Sequence, residues 1–185
     1  DRDGNPNVTA NVTKKVILFS RWQAAKLYEK EFTKLIQDLS MEECSPKIKK
    51  IAGDSFEPYR VYLRPIRDKI RLTYQLIEKH LNNNELLDEK KLLLDKNEIL
   101  QPLRDIRESL NSNCGQHIAN ADLLDLIRRV RCFGISLARL DIRQESSRHT
   151  KLVSDVLNKK LKTDFISLSE NKKINLLNKL IKQKN

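Results

Sequence analysis

Residues 138–146 read ARLDIRQES, and charged and apolar side chains alternate along most of this stretch. The charged residues at every second position are Arg139, Asp141 and Arg143. Alternate side chains of a β-strand point to opposite faces, so this spacing predicts a strand, placed at 135–145, with one charged and one apolar face. An ordinary surface strand has the same pattern. The alternation alone therefore does not show whether the charged face lines a polar cavity.

The sequence on both sides of this stretch favours helices. A chain of 185 residues with 4 glycines, 5 prolines and 5% aromatic residues is typical of long helices joined by few turns. Apolar residues recur at helical spacing through much of 1–134 and again through 146–185. The clearest helix has a cap at Thr9 or Asn11 and is expected to end near Met41.

Other helix boundaries follow from turn and cap residues. Further helices are expected to begin at or near Pro58, Asn97, Asn120 or Asp122, Ser146 or Ser147, and Ser167. Pro65 should start the regular part of its helix or kink it, and Gly134 should end the helix before the strand. Ser167 is expected to form a capping box with Glu170. The polar residues 82–96 predict an excursion on the surface.

A single strand leaves its backbone groups unpaired, so its partners are expected elsewhere in a longer polypeptide. The chain begins with Asp1 rather than Met, and an apolar rhythm continues up to Asn185. We therefore expect residues 1–185 to be a single internal segment, mainly α, whose one short β-strand belongs to a larger sheet or barrel. In a β/α barrel, side chains near the carboxyl ends of strands form the active site, and Arg143 lies at such an end.

Arg143 has the chemistry of an anion-binding residue. Its guanidinium is permanently charged and offers forked donors, and a helix expected to begin at Ser146 or Ser147 adds backbone N–H groups and a positive dipole end. A phosphate or a carboxylate would suit this arrangement. Asp141 is placed to orient Arg139 or Arg143. A purely structural ion pair among the three residues explains the spacing equally well.

Other candidate chemistry in the sequence is weak. His117 and His149 are titratable, but neither has a nucleophile or a carboxylate at a diagnostic spacing. His80 lies in a plain amphipathic pattern. The three cysteines are odd in number and widely spaced, which argues against a disulfide framework and a zinc site; they are Cys44, Cys114 and Cys132. We expect no metal site within this chain, and reduced thiols suggest the cytoplasm.

The charge of the chain is unevenly distributed. Residues 123–185 hold 15 basic and 6 acidic residues, or +9, whereas residues 1–122 hold 21 and 19, or +2. This basic half and RRVR at 128–131 permit a second reading, a helical nucleic-acid-binding module. The aromatic residues are not interleaved with the basic ones as stacking platforms would be. No apolar run approaches the roughly 18 to 20 residues that span a bilayer, so no membrane partner is expected.

Three stretches resemble phosphoenolpyruvate carboxylase, and in particular its bacterial form. They are DRDGNPNVT at 1–9, IANADLLDLIRRVRCFG at 118–134 and LARLDIRQESSRHT at 137–150, with SRW at 20–22 and EPYR at 57–60 also fitting. The departures are few. Ala121 stands where the family usually has Gly, Ser147 where Thr is common, and Gln116 and His117 where Met and Gly are usual.

The resemblance implies a mainly helical fold around a TIM-like barrel of eight strands, to which the strand at 135–145 would belong. It implies the carboxylation of phosphoenolpyruvate by bicarbonate to oxaloacetate and phosphate, an anaplerotic carbon fixation. Arg143 would bind the substrate's phosphate, and the supporting residues would be Arg139, Asp141, Arg2 and Asp3. The general base and the ligands of Mg²⁺ would lie outside the segment, which alone should be inactive. A cytoplasmic, allosteric homotetramer that binds no nucleic acid is expected.

Overall fold

The computed structural model describes residues 5, 7–83, 85–113, 115–141 and 145–182. These residues form α-helices, one short 3-10 helix and irregular connections, with no strand among them. Contacts divide the chain into two compact units, one formed by residues 9–140 and the other by residues 1–8 and 141–185. The prediction of a mainly α chain is confirmed.

Six α-helices belong to the larger unit, and two belong to the smaller one. In the larger unit they are α1 (Ala10–Asp38), α2 (Pro46–Ala52), α3 (Pro58–Asn83), α4 (Asn97–Ser112), α5 (Gln116–Ala119) and α6 (Asp122–Phe133), with a 3-10 helix at Glu89–Lys91. In the smaller unit they are α7 (Ser146–Leu161) and α8 (Glu170–Lys182).

The long helix α1 begins where its cap residue predicts. The Thr9 hydroxyl accepts a hydrogen bond from the Val12 N–H at 3.3 Å, so Thr9 rather than Asn11 caps the helix. One face of α1 is buried against α3 and α6. Its buried residues include Tyr28, Phe32 and Leu35, which are spaced four and three apart as an amphipathic helix requires.

The core of the larger unit is formed where α1, α3, α4 and α6 meet. Its fully buried side chains include Phe32, Tyr59, Ile70, Leu103 and Ile106. The helix α3 begins at Pro58, and Pro65 lies inside it rather than at its start. Pro58 is buried as well, so the first turn of α3 is part of the core.

Residues 82–96 are more buried than their polar composition predicts. α3 extends to Asn83, and Leu92 and Leu93 are buried. The Leu93 N–H donates to the Thr73 hydroxyl at 2.9 Å, and the Arg21 guanidinium donates to the Leu93 carbonyl at 2.6 Å. This connection is therefore fastened to α1 and α3 by its two leucines.

The predicted starts of α4 at Asn97 and of α6 at Asp122 are confirmed, whereas the capping box predicted at Ser167 is wrong. Lys96 precedes α4, and Ala121 precedes α6 without any side-chain cap. α8 begins at Glu170, and the Ser167 hydroxyl donates to the Asp164 carbonyl instead of capping the helix. Serine and asparagine bond equally well to nearby turn carbonyls, so residue type alone does not fix a helix boundary.

The strand expected at 135–145 is not seen in the described part of that range. Residues 135–141 form turns, bends and irregular backbone that continue from Gly134, and Glu145 directly precedes α7. A strand needs a neighbouring strand to pair its N–H and C=O groups, and the described residues supply none.

The smaller unit has little core. α7 buries Ser154 and Leu157, the connection to α8 buries Phe165, and α8 buries no residue at all. Among the described helices of either unit, none combines the length and the apolar composition needed to cross a bilayer.

Candidate phosphate-binding segment

The structure describes only some of the predicted site residues. Arg143, Arg2 and Asp3 lie outside the described residues. Arg139 and Asp141 are described and exposed, and they fall on opposite sides of the boundary between the two units. The structural ion pair considered from the sequence also involves Arg143, which is outside the described residues, so that alternative remains an untested prediction.

The segment that leads to these residues leaves α6 through a fixed turn. The glycine that ends α6, Gly134, has φ of +59°, which suits a residue without a side chain. Its carbonyl accepts a hydrogen bond from the buried Tyr28 hydroxyl at 2.7 Å. Burial, and secondarily the neighbouring Cys132, raise the pKa of Tyr28 to about 12. The phenol is therefore neutral and available as a donor at physiological pH.

The next turn holds a leucine in the left-handed region. Leu137 has φ of +56°, and the Ala138 N–H donates to the Ser136 carbonyl across it at 2.5 Å. A non-glycine residue in this region costs free energy and persists only where packing holds it. Ile135 and Leu137 are half-buried and pack against the main core. Packing of these two side chains thus fixes the path of the chain before Arg139.

Ion pairs and hydrogen bonds fasten α5 and α6 to neighbouring helices. Lys34 of α1 pairs with Asp122 at 2.5 Å, and Glu31 of α1 pairs with Arg129 at 2.9 Å. From α4, Arg107 donates to the Ala119 carbonyl at 3.2 Å and to the Asn120 side chain at 2.8 Å. Residues of the motif IANADLLDLIRRVRCFG are thus joined to α1 and α4 by side-chain contacts.

A second polar cluster surrounds Asp105, which is buried on α4. Its carboxylate pairs with Lys47 at 2.7 Å and accepts hydrogen bonds from Tyr62 at 2.8 Å and from Gln101 at 2.9 Å. Burial by itself raises the pKa of Asp105, but the bonds from Lys47, Tyr62 and Gln101 outweigh it and hold that pKa below its ordinary value. The carboxylate is satisfied by its neighbours, so its role is to join α2, α3 and α4.

Most of the described histidines and cysteines are exposed. His117 and His149 are exposed, and His80 contacts the Glu85 carbonyl at 2.7 Å. Cys44 is half-buried and Cys132 is exposed, while Cys114 lies outside the described residues. No group of three or more His, Cys, Asp or Glu side chains that could hold a metal ion occurs in the described part of the chain.

Two buried residues that join distant elements, Tyr28 and Asp105, were not predicted from the sequence as hydrogen-bonding groups. Tyr28 lies at helical spacing with Phe32 and Leu35 in α1, and nothing near it in the sequence predicts its hydrogen bond to Gly134, 106 positions away. Asp105 lies in none of the sequence motifs quoted above. Each of these two residues places a polar oxygen on a mainly apolar helix face. A buried polar atom needs a hydrogen-bond partner, so this position was the one signal that predicted a partner elsewhere in the fold.

Comparison with known proteins shows the family to which the chain belongs. A family model described as phosphoenolpyruvate carboxylase matches residues 1–185. The chain belongs to the phosphoenolpyruvate carboxylase family. It is 46% identical to the phosphoenolpyruvate carboxylase of Photorhabdus laumondii subsp. laumondii, 44% identical to that of Pectobacterium carotovorum subsp. carotovorum and 41% identical to that of Yersinia pseudotuberculosis serotype O:1b.

Each of these matches extends over 176 residues and covers 94% of this chain. The same matches cover 20% of each relative, so the chain spans about a fifth of the length of the curated relatives it matches. The resemblance in the three motif stretches is thus confirmed at the level of the family.

Proposed function

We propose that the full-length protein containing this segment is a phosphoenolpyruvate carboxylase that forms oxaloacetate and phosphate from phosphoenolpyruvate and bicarbonate. The observation that carries this proposal is the family match over residues 1–185, which includes DIRQES at 141–146. The segment contributes a substrate-binding arginine and its helical support. The general base lies in the remaining four fifths of the protein.

Within this proposal Arg143 binds the phosphoryl group of phosphoenolpyruvate. A forked, permanently charged donor matches the phosphate oxygens, and charge-assisted hydrogen bonds of this kind are about twice as strong as neutral ones. Arg139 and Asp141 orient the segment, and Arg2 and Asp3 lie in a loop beside the site. After the turn at Leu137, the rest of residues 135–145 pairs as a strand of a TIM-like barrel, whose other strands come from the remaining polypeptide.

The reaction proceeds in two steps. A bicarbonate oxygen attacks the phosphorus of phosphoenolpyruvate, the bond from phosphorus to the enol oxygen breaks, and carboxyphosphate and the enolate of pyruvate form. Carboxyphosphate then releases CO₂ and phosphate, and the enolate carbon adds to CO₂ to give oxaloacetate. Negative charge remains on the phosphoryl oxygens throughout, which is where the Arg143 guanidinium stabilises it.

Mg²⁺ is the proposed cofactor through the family resemblance, and residues outside this segment would hold it. The metal would supply a positive charge for the anionic reactants. We further propose that the full-length protein is an allosteric, cytoplasmic homotetramer with an anaplerotic role.

The nucleic-acid-binding alternative finds no support in the described contacts. Arg128 pairs with Asp125 at 3.1 Å, and Arg129 pairs with Glu31 at 2.9 Å. Two of the arginines in RRVR are therefore engaged by carboxylates of the same unit, which leaves less charge for phosphates of a nucleic acid.

The test of the proposed function is oxaloacetate formation by the full-length protein. Phosphoenolpyruvate, bicarbonate and Mg²⁺ are supplied, and oxaloacetate is followed by NADH oxidation with malate dehydrogenase. We expect NADH oxidation that requires both phosphoenolpyruvate and bicarbonate, and none from residues 1–185 alone. A full-length protein that is folded but forms no oxaloacetate would contradict the proposal.

A further inference from the structure

We draw no further inference here: the strongest candidate, the exposed apolar face that Val12, Val16 and Phe19 form on the first half of α1, carries no proposal because nothing in the part of the chain that the structure describes shows what covers it.

Discussion

Tyr28 shows how a single buried hydroxyl can fix the end of a distant helix. Its oxygen lies 2.7 Å from the Gly134 carbonyl, and its ring packs in the core of the larger unit. The bond joins the middle of α1 to the residue at which the motif-bearing segment leaves α6. Replacing the hydroxyl by hydrogen leaves the ring in place, so the loss can be measured separately from packing.

We expect Tyr28→Phe to lower the free energy of unfolding by about 1 kcal/mol, because the Gly134 carbonyl loses its donor. Chemical denaturation of the chain measures the effect. Tyr74→Phe is the matched control, since the Tyr74 hydroxyl makes no hydrogen bond within the described residues. Equal effects of the two substitutions would show that the hydrogen bond to Gly134 contributes nothing.

Asp105 makes stability depend on pH. Hydrogen bonds lower its pKa in the folded chain, so its stabilising effect is present above the ordinary carboxyl pKa and is lost as the pH falls through the lowered value. We expect Asp105→Asn to be less stable than the parent by about 1 to 3 kcal/mol at pH 7. The difference should shrink below about pH 4, near the ordinary pKa of an aspartate.

Unfolding measured at pH 7 and at pH 3 tests this prediction. Asp54→Asn is the control, because Asp54 is exposed and forms no ion pair in the described residues. A stability difference for Asp105→Asn that is the same at both pH values would contradict the account of the Asp105 cluster.

At the scale of elements, the motif EPYR ties the first turn of α3 to the end of α1. Arg60 donates through Nε to the Ile36 carbonyl and through Nη2 to the Gln37 carbonyl, both at 2.8 Å, and it pairs with Glu57. The last carbonyls of a helix have no partner within that helix. A guanidinium that bonds to two of them stabilises the helix end and favours its dipole.

Arg60→Met keeps much of the side-chain length but removes both donors. We expect it to destabilise the chain by about 1.5 to 3 kcal/mol, as for hydrogen bonds to a charged group. Arg64→Met, one turn further along α3 at an exposed position, should change stability by less than about 0.5 kcal/mol. Thermal unfolding of the two variants compares them, and similar shifts would rule out the capping role of Arg60.

The sequence predicted the helices better than it predicted their ends and connections. The stripe of α1 and the stop at Gly134 follow from local periodicity and local backbone preference, which the sequence carries directly. The burial of Leu92 and Leu93 depends instead on Thr73 and Arg21, which are distant in sequence. A strand at 135–145 depends on partners that the described residues do not contain.

For the whole molecule, the candidate site could be predicted from the sequence only through the resemblance of its motifs to those of the family. Spacing alone left Arg143 equally suited to a phosphate and to a structural ion pair. The structure adds the support, from Tyr28 and from the left-handed turn at Leu137, that brings the chain up to this segment. The family match then gives the arginine its proposed ligand, the phosphoryl group of phosphoenolpyruvate.

The most direct test of the central claim is the kcat/KM for phosphoenolpyruvate of the full-length protein carrying Arg143→Ala. Arg104→Ala, at an exposed position on α4, is the control and should match the parent. Because each charge-assisted contact to the phosphate contributes about 1.5 to 3 kcal/mol, we expect Arg143→Ala to lower kcat/KM by roughly tenfold to several hundredfold. A kcat/KM close to that of the parent would contradict the role of Arg143 in binding the phosphate.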